Sequence, residues 1–216
     1  MERKQSECSR CGTCCANGGP ALHIQDRELI ESGSIPISHL ITIRKGELVH
    51  NPVNNLLQAA KNELIKINGV GKQWSCFYFD PDLQGCTIYD RRPAACKALE
   101  CWDTEAVEQL IEKDLLSRTD LIDRDDPLYQ AVLEHEANFP CPDLEAILQQ
   151  GGSPAQSREL EDAANREVIL RTELVSRAGL SLGEELFYFG RPLFHLYISV
   201  GARVQESAGR LLVSWP

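Results

Sequence analysis

Eight of the nine cysteines fall within the first 101 residues, and four of them stand at C-x2-C-x2-C-C spacing: Cys8, Cys11, Cys14 and Cys15. Thiolates two residues apart in an irregular loop converge because the backbone curls around a common point. Gly12, without a Cβ, eases that curl. A second group follows after a long gap at C-x9-C-x9-C-x4-C: Cys76, Cys86, Cys96 and Cys101. In a short secreted chain this count would read as a disulfide framework. Here 216 residues suffice to bury about 70% of the unfolded surface without crosslinks, and residues 1–7 lack the apolar stretch of an export signal. The expectation is a cytoplasmic protein whose thiols are metal ligands. Cys141 stands apart and reads as a small buried hydrophobe.

The first run is related to the C-x2-C-x2-C-x3-C-P loop that wraps a four-iron cubane, but its fourth cysteine comes at once and no proline follows. The C-x3-C-x2-C order of radical-SAM triads is absent. Neighbouring side chains on an extended backbone point to opposite sides, so Cys14 and Cys15 are expected to serve different metals, or one cluster and one partner. Eight thiolates are about twice what one structural zinc or one four-iron cluster takes. That arithmetic favours a polynuclear or two-centre site built from both groups. Cysteine-only ligation suits zinc or iron–sulfur. The three-cysteine run at ferredoxin spacing favours an iron–sulfur cluster, with zinc as the alternative.

Arg91-Arg92-Pro93 lies between Cys86 and Cys96. Pro93 fits the first position of a helix, whose positive dipole end would face sulfur charge. Arg92 is the candidate cofactor-binding cation, able to donate to a thiolate or to pair with Asp90. On one regular helix Cys96 and Cys101 would stand about 140° apart, so a break between them is expected. Trp74, Phe77, Tyr78, Phe79 and Trp102 flank this group as core residues of a small sheet, placed also to keep water from the site. His23 is a candidate non-thiolate ligand, although a lone histidine is more often a hydrogen-bonded structural residue.

Charge divides where the cysteines end. Residues 1–101 carry 12 Lys/Arg and 11 Asp/Glu, residues 102–216 carry 10 and 21, and the whole chain is −10. That balance repels phosphate, so nucleic acid is not an expected partner, nor is an anionic membrane surface. No run approaches the ~18–20 apolar residues of a span. The interspersed acids read as the solvated face of helices.

Short elements are expected in the first part: an irregular segment over 8–20, a helix over 24–31 stopped by Gly33, and strands over 64–67 and 74–79. Asn68-Gly69-Val70-Gly71 joins the two strands as a hairpin. The remainder reads as helices. One runs through Val107, Leu110, Ile111 and Leu115 after a cap at Asp103 or Thr104. Three more begin at Pro127, Pro142 and Pro154, behind Asp126, Cys141 and Ser153. On the last, Leu160, Ala164, Val168, Arg171, Leu174 and Ala178 trace a mostly apolar stripe ending before Gly179. The expected fold class is α+β and predominantly helical: a cysteine-cluster module over 1–103 with a short antiparallel sheet, then an acidic helical lobe over 104–216 packed on it.

Cys8-Ser-Arg-Cys11-Gly-Thr-Cys14-Cys15, with Gly85-Cys86-Thr87-Ile88-Tyr89-Asp90-Arg91-Arg92-Pro93-Ala94-Ala95-Cys96, resembles the YkgJ-type cysteine-cluster family. This is a zinc- or iron-chelating domain also found in a flagellin lysine methylase. The resemblance covers residues 8 to about 101. It implies that Cys8, Cys11, Cys14, Cys15, Cys76, Cys86, Cys96 and Cys101 are ligands in a bacterial iron–sulfur or zinc protein, and it implies no reaction. Two classes follow. One is a metal-cluster protein with a structural or redox role, whose helical lobe docks a protein partner. The other is a metal-dependent enzyme that modifies a protein, by analogy with the methylase. The sequence names no acid–base pair for the second. His135-Glu136 lacks the second histidine of H-E-x-x-H, and no phosphate loop or Gly-x-Ser-x-Gly elbow occurs. The first class is the expectation, and whether the chain is an enzyme stays open, as does its oligomeric state.

Overall fold

The computed structural model describes Gln5 and residues 8–51, 53–151 and 153–215. The fold is α+β and rich in helix, and its strands form only two-stranded antiparallel ribbons. Part of the segment expected to be irregular closes into one helical turn, α1 (Thr13–Ala16), entered from Gly12 at φ 77°. The helix expected over 24–31 forms as a 3-10 turn (Ile24–Asp26) running into α2 (Arg27–Glu31). Four strands follow: β1 (Leu40–Ile43), β2 (Leu48–Asn51), β3 (Leu56–Ala59) and β4 (Leu64–Ile67). β1 is buried along its whole length: Leu40, Ile41 and Ile43 supply apolar surface, and the Thr42 hydroxyl donates to the Phe187 carbonyl at 2.5 Å.

The strand at 64–67 forms, but its partner is β1, with Leu40 opposite Ile67 and Ile43 opposite Leu64. The expected strand over 74–79 is instead split. β5 (Gly69–Val70) pairs with β6 (Ser75–Cys76), and β7 (Phe79–Asp80) pairs with β8 (Gly85–Cys86). Two causes are visible. Burial of Ile65 and Ile67 commits β4 to β1, and Trp74 takes a left-handed φ of 57° that interrupts an extended run. The Trp74 indole covers Gly69 so closely that a Cβ there would lie 2.4 Å from the ring.

α3 (Ala94–Ala98) ends before Cys101, as expected, and Pro93 is its cap rather than its first residue. The helix expected through Leu115 stops after one turn, α4 (Glu105–Glu108). Glu112 and Asp114 have positive φ, and the chain then straightens to serve the core. Leu115 bridges to His23, and Leu116 exchanges backbone hydrogen bonds with Leu22 and Ile65. Tertiary pairing overrides local helical periodicity here. α5 (Arg118–Leu121) follows, then α6 (Pro127–Asn138), with the Asp126 side chain accepting from Leu128 N–H as expected. α7 (Leu144–Gln150) starts two residues later than Pro142 implied, because Asp143 supplies the capping carboxylate that Cys141 lacks. α8 (Pro154–Ala178) has the expected Ser153 cap and ends at Gly179 in the left-handed region. α9 (Leu182–Phe189) and α10 (Leu193–Ser199) lead to a hairpin, β9 (Arg203–Ser207) and β10 (Arg210–Ser214), in a region expected to be helical throughout. Asn165 on α8 holds this hairpin by exchanging two hydrogen bonds with the Leu211 backbone, each 2.9 Å.

One apolar cluster draws Leu22, Ile35, Leu40, Ile65, Ile67 and Cys76 together with Leu116, Val132, Leu174, Phe187 and Phe189, so it spans both parts of the chain. A second gathers Phe139, Leu144, Ile147, Ala164, Leu196 and Tyr197 under the terminal hairpin. The reading of the later acids as a solvated face fails at Glu136 and Glu167. Glu136 pairs with both Arg44 and Arg118, and Arg118 also pairs with Glu63. Glu167 is fully buried and meets His135 Nε2 at 2.9 Å and Arg171 at 3.4 Å. Among the described residues, no helix is long and apolar enough to cross a membrane.

Candidate metal centre

The two cysteine groups meet because short elements fold back on one another. α1, carrying Cys14 and Cys15, packs on β6, which carries Cys76. Ser75 Oγ donates to the Ala16 carbonyl at 3.4 Å. Cys86 lies opposite Phe79 in the next ribbon, and the Phe79 ring lies against Gly12, directly ahead of α1. Cys15, Cys76 and Cys86 share one apolar cluster with Tyr78, Phe79 and Ile88. Cys96 joins from α3.

Each thiol feels the others. A hydrogen bond from the Cys15 thiol, assisted by the Arg92 charge, brings Cys14 down to about 6, while the same bond and burial push Cys15 far up. Divergence of these neighbours was expected from an extended backbone, but they lie on a helical turn. Burial, then the charges of Cys76, Cys86 and Cys14, pushes Cys96 up to about 12. Burial first, then the charges of Cys86 and Cys14, raises Cys76; burial first, then the charges of Cys14 and Cys8, raises Cys86.

Cys8, Cys11 and Cys101 sit at the margin. Cys8 accepts from Arg10 N–H at 3.4 Å and adds its charge at Cys86. Cys11 is exposed, hydrogen-bonded to Thr13 Oγ1 at 3.3 Å and lowered by that bond. Cys101 is exposed beyond α3, where the Gln5 amide donates to its sulfur at 3.9 Å. Cys141 lies elsewhere, beside Gly46 and the second apolar cluster, and burial followed by the Glu47 charge pushes it to about 12. All nine cysteines are free thiols.

Arg92 places its guanidinium 3.6 Å from the Tyr89 ring centroid, and Arg10 brings a second cation to the same ring at 4.1 Å. Among the described residues, Arg92 makes no ion pair with Asp90. Its charge favours the thiolate forms of Cys14, Cys86 and Cys96, and its Nε is buried without a hydrogen-bond partner. An orphaned N–H beside several sulfurs is the donor that a metal-bound thiolate would engage. His23 serves the fold: it is buried, and its Nδ1–H donates to the Lys113 carbonyl at 2.9 Å. Tyr78 is buried and hydrogen-bonded to His39 at 2.8 Å, whereas Trp74 and Phe77 are largely exposed rim residues rather than core. Tyr89 and Arg10 escaped the sequence reading, since nothing in their spacing marks a shared stack.

Among the described residues, no three His, Cys, Asp or Glu side chains stand close enough to hold one metal ion. The thiols of Cys14, Cys15, Cys76, Cys86 and Cys96 stand on α1, β6, β8 and α3, elements drawn from both cysteine groups. Their chemistry fits a soft metal or an iron–sulfur group, and the hard cations Mg²⁺ and Ca²⁺ call for oxygen donors instead.

Such a set of thiols defines a cysteine-rich metal-chelating module. The chain belongs to the CxxCxxCC family, whose model, described as "Putative zinc- or iron-chelating domain", matches residues 7–114. No curated protein and no solved structure matches the chain.

Proposed function

We propose that the chain holds an iron–sulfur cluster with a structural or electron-transfer role. Cys14, Cys15, Cys76, Cys86 and Cys96 form the inner ligand set, and Cys8, Cys11 and Cys101 complete it. The observation that carries this reading is the convergence of thiols from two distant stretches of sequence around Arg92. Eight thiols lie within the first 101 residues, about twice what one zinc ion takes. The three-cysteine run at ferredoxin spacing favours iron in the same direction. An iron–sulfur group would supply one-electron chemistry. The chain's own residues would tune it: Arg92 donates toward sulfur, and Tyr78 and Phe79 limit water. Free thiols suit the reducing cytoplasm. The test is composition. Protein purified without oxygen is expected to be brown and to carry iron with acid-labile sulfide, whereas colourless protein with stoichiometric zinc and no sulfide overturns the iron–sulfur assignment in favour of zinc.

A further inference from the structure

Asp26 belongs to neither cysteine motif, yet it joins them. Its side chain is nearly inaccessible, at 3% exposure. Oδ2 accepts the His23 N–H at 3.0 Å, and Oδ1 accepts the Ala94 N–H at 2.8 Å. Ala94 is the first residue of α3, and Cys96 follows two positions later. The first N–H groups of a helix have no acceptor within the helix, and Pro93 has no N–H to offer. The start of α3 is thus fixed from outside, by a carboxylate in the segment that follows the first cysteine run. That segment is anchored in turn, because His23 donates to the Lys113 carbonyl and bridges to Leu115.

We propose that Asp26 is a positioning residue of the metal centre: it sets where α3 begins and so aims Cys96 at the other thiols before metal arrives. This rests on the reading of the cysteines as ligands. The Asp26 carboxylate accepts from the His23 and Ala94 amides, and the positioning acts through the second. Removal of a partner bonded directly to a ligand costs about 10–100-fold in metal affinity, and Asp26, one step further out, is expected to reach about the lower end of that range.

The experiment uses the full chain, freed of metal and titrated with cobalt(II), whose thiolate charge-transfer absorption reports the ligands engaged. The expected result has two parts. First, the Ala94 amide is protected from hydrogen exchange before cobalt is added, since Asp26 is its acceptor. Second, Asp26→Asn and Ala94→Pro each weaken the charge-transfer band and release cobalt to a chelator about tenfold faster or more, with the double variant no worse than either single one. Proline is well tolerated at a first helical position, so Ala94→Pro removes the bond from its other end while keeping the helix. A free-exchanging Ala94 amide, or folded variants with the wild-type band and release rate, would overturn the proposal. Should neither variant fold, amide exchange in the unaltered chain decides alone. A wild-type chain with no charge-transfer band would refute the ligand reading itself, which separates the two failures.

Discussion

The ring of Phe79 occupies the space that a side chain on Gly12 would need: a Cβ built there lies 2.4 Å from Cε2. This contact holds the turn that carries Cys14 and Cys15 against the ribbon that carries Cys86. Gly12 also sits at φ 77°, where a non-glycine residue costs about 1–2 kcal/mol. Gly12→Ala adds the overlap to that cost and is expected to lose about 2 kcal/mol or more, given that overpacking alone takes about 1–3 kcal/mol. Gly33→Ala is the control, with φ 72° but nothing within 4 Å of the added carbon. Denaturant unfolding of the two metal-free variants checks the difference; equal losses would mean that the Phe79 contact carries no weight.

Glu136 is shared by Arg44 and Arg118, both of which are buried. Removing a partner from a buried pair leaves an uncompensated charge and typically costs about 3–5 kcal/mol. Because the Glu136 side chain keeps 32% exposure, water recovers some of that, and Glu136→Ala is expected to cost about 3 kcal/mol. Glu112→Ala breaks an exposed pair with Lys61 and is expected to cost less than about 1 kcal/mol. Urea midpoints of the two variants test the contrast.

His135 is buried, with its Nδ1 unpartnered and its Nε2 on Glu167. Burial lowers its pKa from 6.5 against the pull of Glu167, and Arg44 and Arg171 add to the lowering. Below the unfolded value the unfolded chain binds a proton that the folded chain resists. Stability therefore falls as pH drops through 6.5 toward the lower folded value. Glu136 and Glu167 are held below the usual carboxylate range by arginine charge and hydrogen bonds despite their burial, so their contribution persists through this window. Glu47, raised by burial, acts in the opposite sense, which makes a comparison with His135→Gln necessary. The wild type is expected to lose more stability than this variant between pH 7 and about 5.5. Parallel pH profiles would remove His135 from the account.

Much of the fold was legible wherever a capping residue or a periodic run decided it locally. Asp126, Ser153 and Gly179 bound their helices as their chemistry demands, and the break between Cys96 and Cys101 followed from helical geometry alone. What escaped was set by distant partners. Leu115 and Leu116 have helical spacing but are taken by Leu22, His23 and Ile65. The terminal hairpin depends on Asn165 of α8, far away in sequence. Within the candidate site, the thiols themselves were visible from spacing, whereas the bond from the Ala94 N–H to Asp26 and the stacking of Arg10 and Arg92 on Tyr89 are contacts that no local pattern records. An extended backbone was expected at Cys14 and Cys15, and a single helical turn stands there instead.

The central claim is that one metal centre draws on both cysteine groups. Its most direct measurement is the metal content of the full chain carrying Cys14→Ser, Cys86→Ser or Cys141→Ser, each purified without oxygen. The account predicts that Cys14→Ser and Cys86→Ser each lose most of the bound metal while Cys141→Ser retains it. Full metal content in either of the first two, or equal loss in all three, would contradict it.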